Sequence, residues 1–308
     1  MQLVFRNRTK RLKELQQIKT RPTRHFRDTH PKSIDVLSYL GWAGGRRKVK
    51  IMNKHNILVR YDKDLRLRIL YPEARKEITG DVVRFVRKAP AMNFVSFTFA
   101  NERGLDQVID NELEYFAPMA QPFTWKVYDH DHLPSLKDKL NARGFAEEDD
   151  GPADVMVLDI HSAPADLFQP VQTDIRRITE REGLKDVVHV LDTVYGGSNT
   201  WVYDRLGLHL QYKDYLSVYV AYVEDQPASI AWTYFPRGSF ATLFAGSTIA
   251  EYRKRGLYTN LLSVRLKEIR ARGYPFVVVE TGDMSRPIVA KHGFKHLTTV
   301  WDYQWKGN

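Results

Sequence analysis

The stretch richest in chemistry runs from Phe244 to Leu262 and reads Phe-Ala-Gly-Ser-Thr-Ile-Ala-Glu-Tyr-Arg-Lys-Arg-Gly-Leu-Tyr-Thr-Asn-Leu-Leu. A strand pattern passes into a short basic turn holding Gly256, and helical spacing begins at once. That arrangement aims several unpaired backbone N–H groups and the positive end of a helix at one point, which suits a phosphate or pyrophosphate. Gly256 lets a ligand approach the backbone closely, and Arg253, Lys254 and Arg255 supply counter-charge. No Gly-Lys-Ser/Thr follows, and Gly-x-Gly-x-x-Gly is absent, so neither a Walker loop nor a dinucleotide fingerprint is present.

Glu280 ends the apolar strand Phe276–Glu280, where a cleft beside this turn should open. A carboxylate there is suited to taking a proton from an incoming nucleophile, directly or through water. A surface carboxylate at a strand end is the plainer reading. Ser285 either caps the helix that begins near Arg286 or reaches the reacting group. Glu251 and Asp283 have no assignable role. The chain has no cysteine, which excludes disulfides, thiolate metal sites and a cysteine nucleophile. Its 10 histidines show no metal spacing. His130-Asp131-His132 lacks a third ligand and reads as a polar loop, so no metal is expected.

The surrounding elements are strands and amphipathic helices from Asn56 onward. Leu65–Leu70 alternates as a half-buried strand does, and Asn93–Phe99 and Phe123–Tyr128 read as strands. Helices are expected at Leu105–Phe116 and Leu133–Ala142, then a strong strand at Asp154–Ile160. His161–Pro170 reads as a linker. The second half opens with a strand at Asp174–Thr179 and helices at Leu184–Tyr195 and between Thr200 and Tyr212. An antiparallel meander follows, Leu216–Val223, Pro227–Phe235 and Ser239–Ile249. Helix Tyr258–Arg272, strand Phe276–Glu280, helix Arg286–His292 and strand Leu297–Trp305 complete the chain. Both halves finish helix–Gly-Phe–strand, at Gly144-Phe145 and Gly293-Phe294, which suggests a degenerate internal duplication.

With motif and element order together, residues 172–308 resemble the GNAT superfamily of acyl-CoA-dependent N-acetyltransferases. The family pattern Arg/Gln-x-x-Gly-x-Gly/Ala reads here Arg253-Lys-Arg-Gly256-Leu-Tyr258. The resemblance implies an α/β (α+β) fold with a central, mostly antiparallel mixed sheet flanked by helices. It further implies a tandem of a degenerate half and a complete catalytic half. Acetyl-CoA would be the co-substrate, its pantetheine held by Ser247, Thr248 and Ile249. The pyrophosphate would lie on Arg253, Lys254, Arg255, Gly256, Leu257, Tyr258 and Thr259. Tyr258 stands where Gly or Ala is usual, so its side chain must turn away from the phosphates. The tyrosine acid of many relatives, five residues before the Phe of the late Gly-Phe junction, is Val289 here.

Charge divides the chain unevenly. Residues 1–56 hold 15 of the 47 Lys+Arg and only 3 of the 37 Asp+Glu, so the net charge of +10 comes from this arm. Arg21-Pro22 and His30-Pro31 limit any helix in it to a short piece around Thr9–Thr20. A solvated extension, a phosphate-binding arm with weak nucleic-acid or anionic-surface contact, and an Arg-rich presequence are its three readings. The expected organisation is a basic extension (1–56), a degenerate half (57–165) and an acetyl-CoA-binding half (166–308). The first half lacks an Arg-x-x-Gly turn, so it is expected to bind no CoA. It either walls a shared acceptor cleft or serves as scaffold. No apolar run is long enough to span a bilayer and no secretory h-region follows the basic start, so a cytoplasmic protein is expected.

The implied function is transfer of an acetyl group from acetyl-CoA to a primary amine by direct attack in a ternary complex, with Glu280 as base. The acceptor is a small molecule or peptide amine. Tyr219, Tyr222, Trp232, Tyr234 and Trp201 either fill the core or line its pocket. Two alternatives stand: an aminoacyl- or longer-acyl transferase on the same fold, and a non-catalytic CoA-binding or nucleic-acid-associated protein acting through its basic arm. Dimers are common on this fold, so a homodimer is compatible with it.

Overall fold

The computed structural model describes residues 53–88, 91–149 and 151–307, so the basic extension up to residue 52 lies outside the described residues. Asn53 opens the first helix, α1 (Lys54–Tyr61), its side-chain oxygen accepting the Asn56 N–H at 3.0 Å. The strand expected at Leu65–Leu70 is not formed; Asp62–Leu67 instead continues α1 as a turn of π-helix. The alternation had counted Arg66 as solvent-facing, whereas it is 1% exposed. Its guanidinium donates to Asp62, to both oxygens of Asp131 and to the Ser96 carbonyl, and packs over the rings of Tyr128 and Phe97. Arg66 is turned inward while Arg68 and Leu70 are exposed, so the alternation does not sort into an apolar and a polar face.

The first half continues with β1 (Ala74–Ile78), β2 (Val82–Arg87), β3 (Asn93–Thr98), α2 (Leu105–Phe116), β4 (Phe123–Tyr128) and α3 (Leu136–Asn141), then β5 (Ala146–Glu147) and β6 (Ala153–Asp159). The hairpin of β1 and β2 was not anticipated. The second half supplies β7 (Ile175–Ile178), α4 (Leu184–Tyr195), α5 (Thr200–His209), β8 (Leu216–Val223), β9 (Gln226–Tyr234) and β10 (Phe240–Thr248). It ends with α6 (Leu257–Ala271), β11 (Phe276–Thr281), α7 (Arg286–Lys291) and β12 (Lys295–Trp305). The expected meander is β8–β9–β10, antiparallel throughout.

The strands form one sheet in the order β1-β2-β3-β4-β12-β6-β11-β10-β9-β8-β7, with β5 on β12. Its parallel pairs are β3 with β4 and β10 with β11, each joined across a helix, α2 or α6. These crossovers occupy corresponding places in the two halves. Each is followed by a short helix and a Gly-Phe junction, with Gly144 at φ 80° and Gly293 at φ 89° and both phenylalanines buried. The halves also exchange strands. β6 of the first half lies between β11 and β12, while β12 pairs along β4 from Val300 to Trp305.

Burial fixes which helix covers which face. Leu184, Val187, Val190 and Leu191 of α4 pack on Val218, Val220, Ile230 and Trp232. Leu262, Leu266 and Ile269 of α6 pack on the opposite face, against Ala241, Leu243, Val277 and Val279. Each fully buried Leu, Ile or Val contributes about 1.5–3 kcal/mol, so these stripes hold α4 and α6 to the sheet far more firmly than helix propensity does. Among the described residues no helix is long and apolar enough to cross a membrane.

Candidate active site

β10 and β11 pair in register only at Phe240–Phe276, Ala241–Val277 and Thr242–Val278. Beyond these the strands diverge: β10 bulges between Phe244 and Ser247, with Ala245 at φ 50°, while β11 runs on to Thr281. The gap opens into a cavity of about 670 Å³, walled by Phe244, Gly246 and Thr248 on one side and Val279 and Thr281 on the other. It ends at the basic turn before α6. Phe244 is the one exposed residue of β10, at 41%, and its ring lines this space.

The turn has the geometry its sequence implies. Gly256 is left-handed, at φ 77°, and a β-carbon there would meet nothing nearer than Asn260 Nδ2 at 3.9 Å. Asn260 N–H bonds the Gly256 carbonyl at 2.9 Å, so the N–H groups ahead of it belong to the open end of the helix. The structure brings Thr248, Arg253, Lys254, Gly256, Leu257, Tyr258 and Thr259 onto the cavity wall. Three of the residues carried over from the family pattern do not lie on it. Ser247 is buried with its hydroxyl 2.7 Å from that of Tyr195, Ile249 packs in the core under α4, and Arg255 turns toward the ring of Tyr252.

Tyr258 turns back from the turn and packs against Gly246 and near His292. Val289 is buried in the core beside Phe294. Ser285 stands at the N-cap position of α7 without making a side-chain cap; its hydroxyl donates to the Gly282 carbonyl at 3.2 Å. The sequence reading missed Arg265 of α6, a wall residue only 2% exposed. It bonds the carbonyls of Leu261 and Trp232 and has no carboxylate at ion-pair distance among the described residues. Burial lowers this guanidinium to about 10, so it remains cationic at neutral pH.

Alternation along β11 sends Val277 and Val279 toward α6 and Phe276, Val278 and Glu280 to the opposite face. Glu280 thus opens on a second cavity, about 290 Å³, lying between the two halves and meeting the first at Leu243, Phe244 and Val279. Lys126 of β4 is 3.9 Å from Glu280 and 2.9 Å from Asp302. Burial raises the phenols of Tyr61, Tyr71 and Tyr128, and the negative charge of Glu280 adds to that rise in all three. Trp201, Trp232 and Tyr234 lie on this cleft. Tyr219 and Tyr222 do not; they bond Glu268 and Asp186.

A buried chain of polar groups closes the cleft at its other end. Tyr234 Oη is 2.8 Å from His209 Nδ1, and His209 Nε2 is 2.9 Å from Glu73 Oε2. Arg87 and Arg205 each approach Glu73 Oε1 at 3.2 Å. Burial opposes the Glu73 charge, but the bond from His209 and the two arginines outweigh it and hold the carboxyl at about 2. Nothing local in the sequence signals this cluster, since Glu73 and Arg87 come from one half and Arg205 and His209 from the other.

The corresponding parallel pair in the first half is β3 with β4, in register at Asn93–Phe123, Phe94–Thr124 and Val95–Trp125. Trp125, in the last of these pairs, is fully buried in the core with α2, its indole N–H donating to Thr98 Oγ1 at 3.1 Å. His130 and Asp131 form part of the lock around Arg66, with His130 also bonding Thr298 at 2.7 Å. Among the described residues no group of three or more His, Asp or Glu is placed to hold a metal ion.

No protein-family model matches the chain, and no curated protein does. Solved structures do. A conserved protein of unknown function from Staphylococcus epidermidis superposes with a TM-score of 0.58 at 12% identity, over 78% of this chain and 96% of that one. A GCN5-related N-acetyltransferase from Kribbella flavida gives 0.58 at 9% identity, over 77% and 91%. A tandem GNAT protein from the clavulanic acid biosynthesis pathway gives 0.54 at 15% identity, over 85% and 90%. The chain therefore has the GNAT fold. The strand exchange and the two matching crossovers give that fold its tandem form.

Proposed function

We propose that the protein is an acyltransferase that moves an acetyl group from acetyl-CoA to a primary amine. The observation that carries the reading is the divergence of β10 from β11 after Thr242, with a cavity leading from the gap to the left-handed Gly256 and the open end of α6. The turn, with Arg253 and Lys254, would bind the pyrophosphate. The open edge of β10 from Leu243 to Thr248 would pair with the pantetheine amides, as an edge strand pairs with any extended amide chain. The likeness to GNAT proteins supports both assignments.

The amine enters from the opposite face, through the cleft between the halves. Its nitrogen attacks the thioester carbonyl, the C–S bond breaks, and an amide forms. Glu280, on the cleft face two residues past the last β10–β11 pair, accepts the ammonium proton directly or through water. The coenzyme thiolate is a competent leaving group, because thiols ionise near pH 8.5. The buried Val289 is compatible with a step that needs no dedicated acid. The first half, which lacks an Arg-x-x-Gly turn and contributes Tyr71, Phe94 and Lys126 to the cleft, walls the acceptor site and binds no donor.

The reading is tested by incubating the full chain with acetyl-CoA and a broad amine panel, following free thiol and acetylated amine together. Initial rates varying with both substrates in an intersecting pattern are expected for a ternary complex. Binding of CoA without transfer to any amine would favour a non-catalytic role.

A further inference from the structure

The cleft between the halves is electrically two-ended. At one end Arg205 shares the single carboxylate of Glu73 with Arg87 and His209. Arg205 Nε is buried without a hydrogen-bond partner among the described residues. At the other end Glu280 and Asp302 stand on Lys126, and Glu148, whose N–H bonds the Asp302 carbonyl at 2.9 Å, lines the same side. Arg66 also touches the cleft but is compensated by Asp62 and Asp131. Both ends line the same cavity, Arg87 and Arg205 together with Lys126, Glu280 and Asp302. Between them the walls are aromatic, from Tyr71, Phe94, Tyr215, Tyr234 and Phe244.

A ligand complementary to this cleft carries a carboxylate and an ammonium a few bonds apart and an apolar remainder. We infer that the acceptor is a free α-amino acid with an apolar side chain, its carboxylate on Arg205 beside Arg87 and its ammonium toward Glu280. This rests on the acetyl-CoA reading above and names its acceptor. The chemistry agrees with the placement. A guanidinium offers a carboxylate two parallel donors, which fixes the direction of the amine as well as its affinity. A cavity of about 290 Å³ is at the small end of ligand sites and suits one amino acid.

The experiment compares apolar amino acids with their amides and with the amines that lack the carboxylate, each with acetyl-CoA and the full chain. The free acids are expected to exceed both analogues in kcat/KM by about tenfold or more, since a site built for a polar group is left unpaired by an analogue without it. Arg205→Gln should lower kcat/KM for the acid at least about tenfold more than for the amine, through KM, while Arg205→Lys keeps part of the preference. Thermal melts of both variants separate loss of fold from loss of recognition. Equal or better use of the amines, or a preference that survives Arg205→Gln, overturns the inference. Acetyl-CoA binding with transfer to amines other than amino acids overturns it alone. No acetyl-CoA binding at all removes the acyltransferase reading, and this one with it.

Discussion

Tyr258 on α6 lies so close to Gly246 on β10 that a β-carbon at residue 246 would stand 2.6 Å from the tyrosine Cε2. The glycine is what allows an aromatic side chain at the second position of α6, where the GNAT pattern has Gly or Ala. The ring leaves the turn, covers the bulge of β10 and shares the cavity wall with Arg265. Gly246→Ala is therefore expected to cost about 1–3 kcal/mol, the range for overpacking a close contact. Adding Tyr258→Ala should relieve most of it. Thermal or denaturant unfolding of the two single variants and the double variant checks the coupling; strictly additive effects would show that the contact is not the cause.

Glu280→Gln keeps the shape of the strand end and removes its proton acceptor. A loss of kcat of about 10²–10⁴ is expected, with acetyl-CoA affinity little changed. The residual activity should climb with pH as the free amine itself becomes neutral. A rate and pH profile like those of the unsubstituted protein would remove Glu280 from the mechanism.

Glu73 links the halves and carries a pH signature. Its folded-state value is about 2, against an ordinary 4.5. Between these values the unfolded chain binds the proton more readily, so the contribution of Glu73 to stability is fully present above pH 4.5 and is lost as pH falls toward 2. In Glu73→Gln the unfolding free energy at neutral pH should drop, by about 3 kcal/mol where two arginines lose a buried partner, and its dependence on pH in that window should flatten. Urea titrations at stepped pH give both quantities. An unchanged acid slope would contradict the assignment.

Arg66 makes a comparable prediction for the helical segment that replaced the expected strand. Arg66→Met leaves Asp131 and Asp62 facing a buried apolar chain. A loss of about 3–5 kcal/mol is expected, as for removal of one partner from a buried ion pair. Asp131→Asn should be partly coupled to it in a double-mutant cycle, whereas independent effects would show that the pair does not hold the segment.

Much of the second half is legible in its sequence because local patterns there coincide with tertiary ones. α4 runs over Leu184–Tyr195 as its apolar spacing implies, and β8 over Leu216–Val223 as its β-branched and aromatic run implies. The turn at Gly256 is readable for a similar reason, since strand, glycine and helix are contiguous. The first half hides more. β1 reads Ala-Arg-Lys-Glu-Ile, an edge strand whose stabilising partner is a hairpin neighbour rather than a buried face. Arg66 misleads because the aspartate that turns it inward lies 65 residues away. The exchange of β6 and β12 has no sequence mark, because either strand is apolar enough for any interior place in the sheet. Glu280 was legible as a strand-end carboxylate, but its partners Lys126 and Asp302 and the Glu73 cluster were missed, because these residues meet only when the two halves close on each other.

The central claim is that the gap between β10 and β11 and the turn at Gly256 bind an acyl-CoA. Calorimetric titration of acetyl-CoA into the full chain and into Gly256→Trp, with thermal melts to confirm that both are folded, tests it most directly. A saturable heat is expected for the unsubstituted protein, disappearing when the indole covers the turn. No heat from the unsubstituted protein, or equal binding by a folded Gly256→Trp variant, would contradict it.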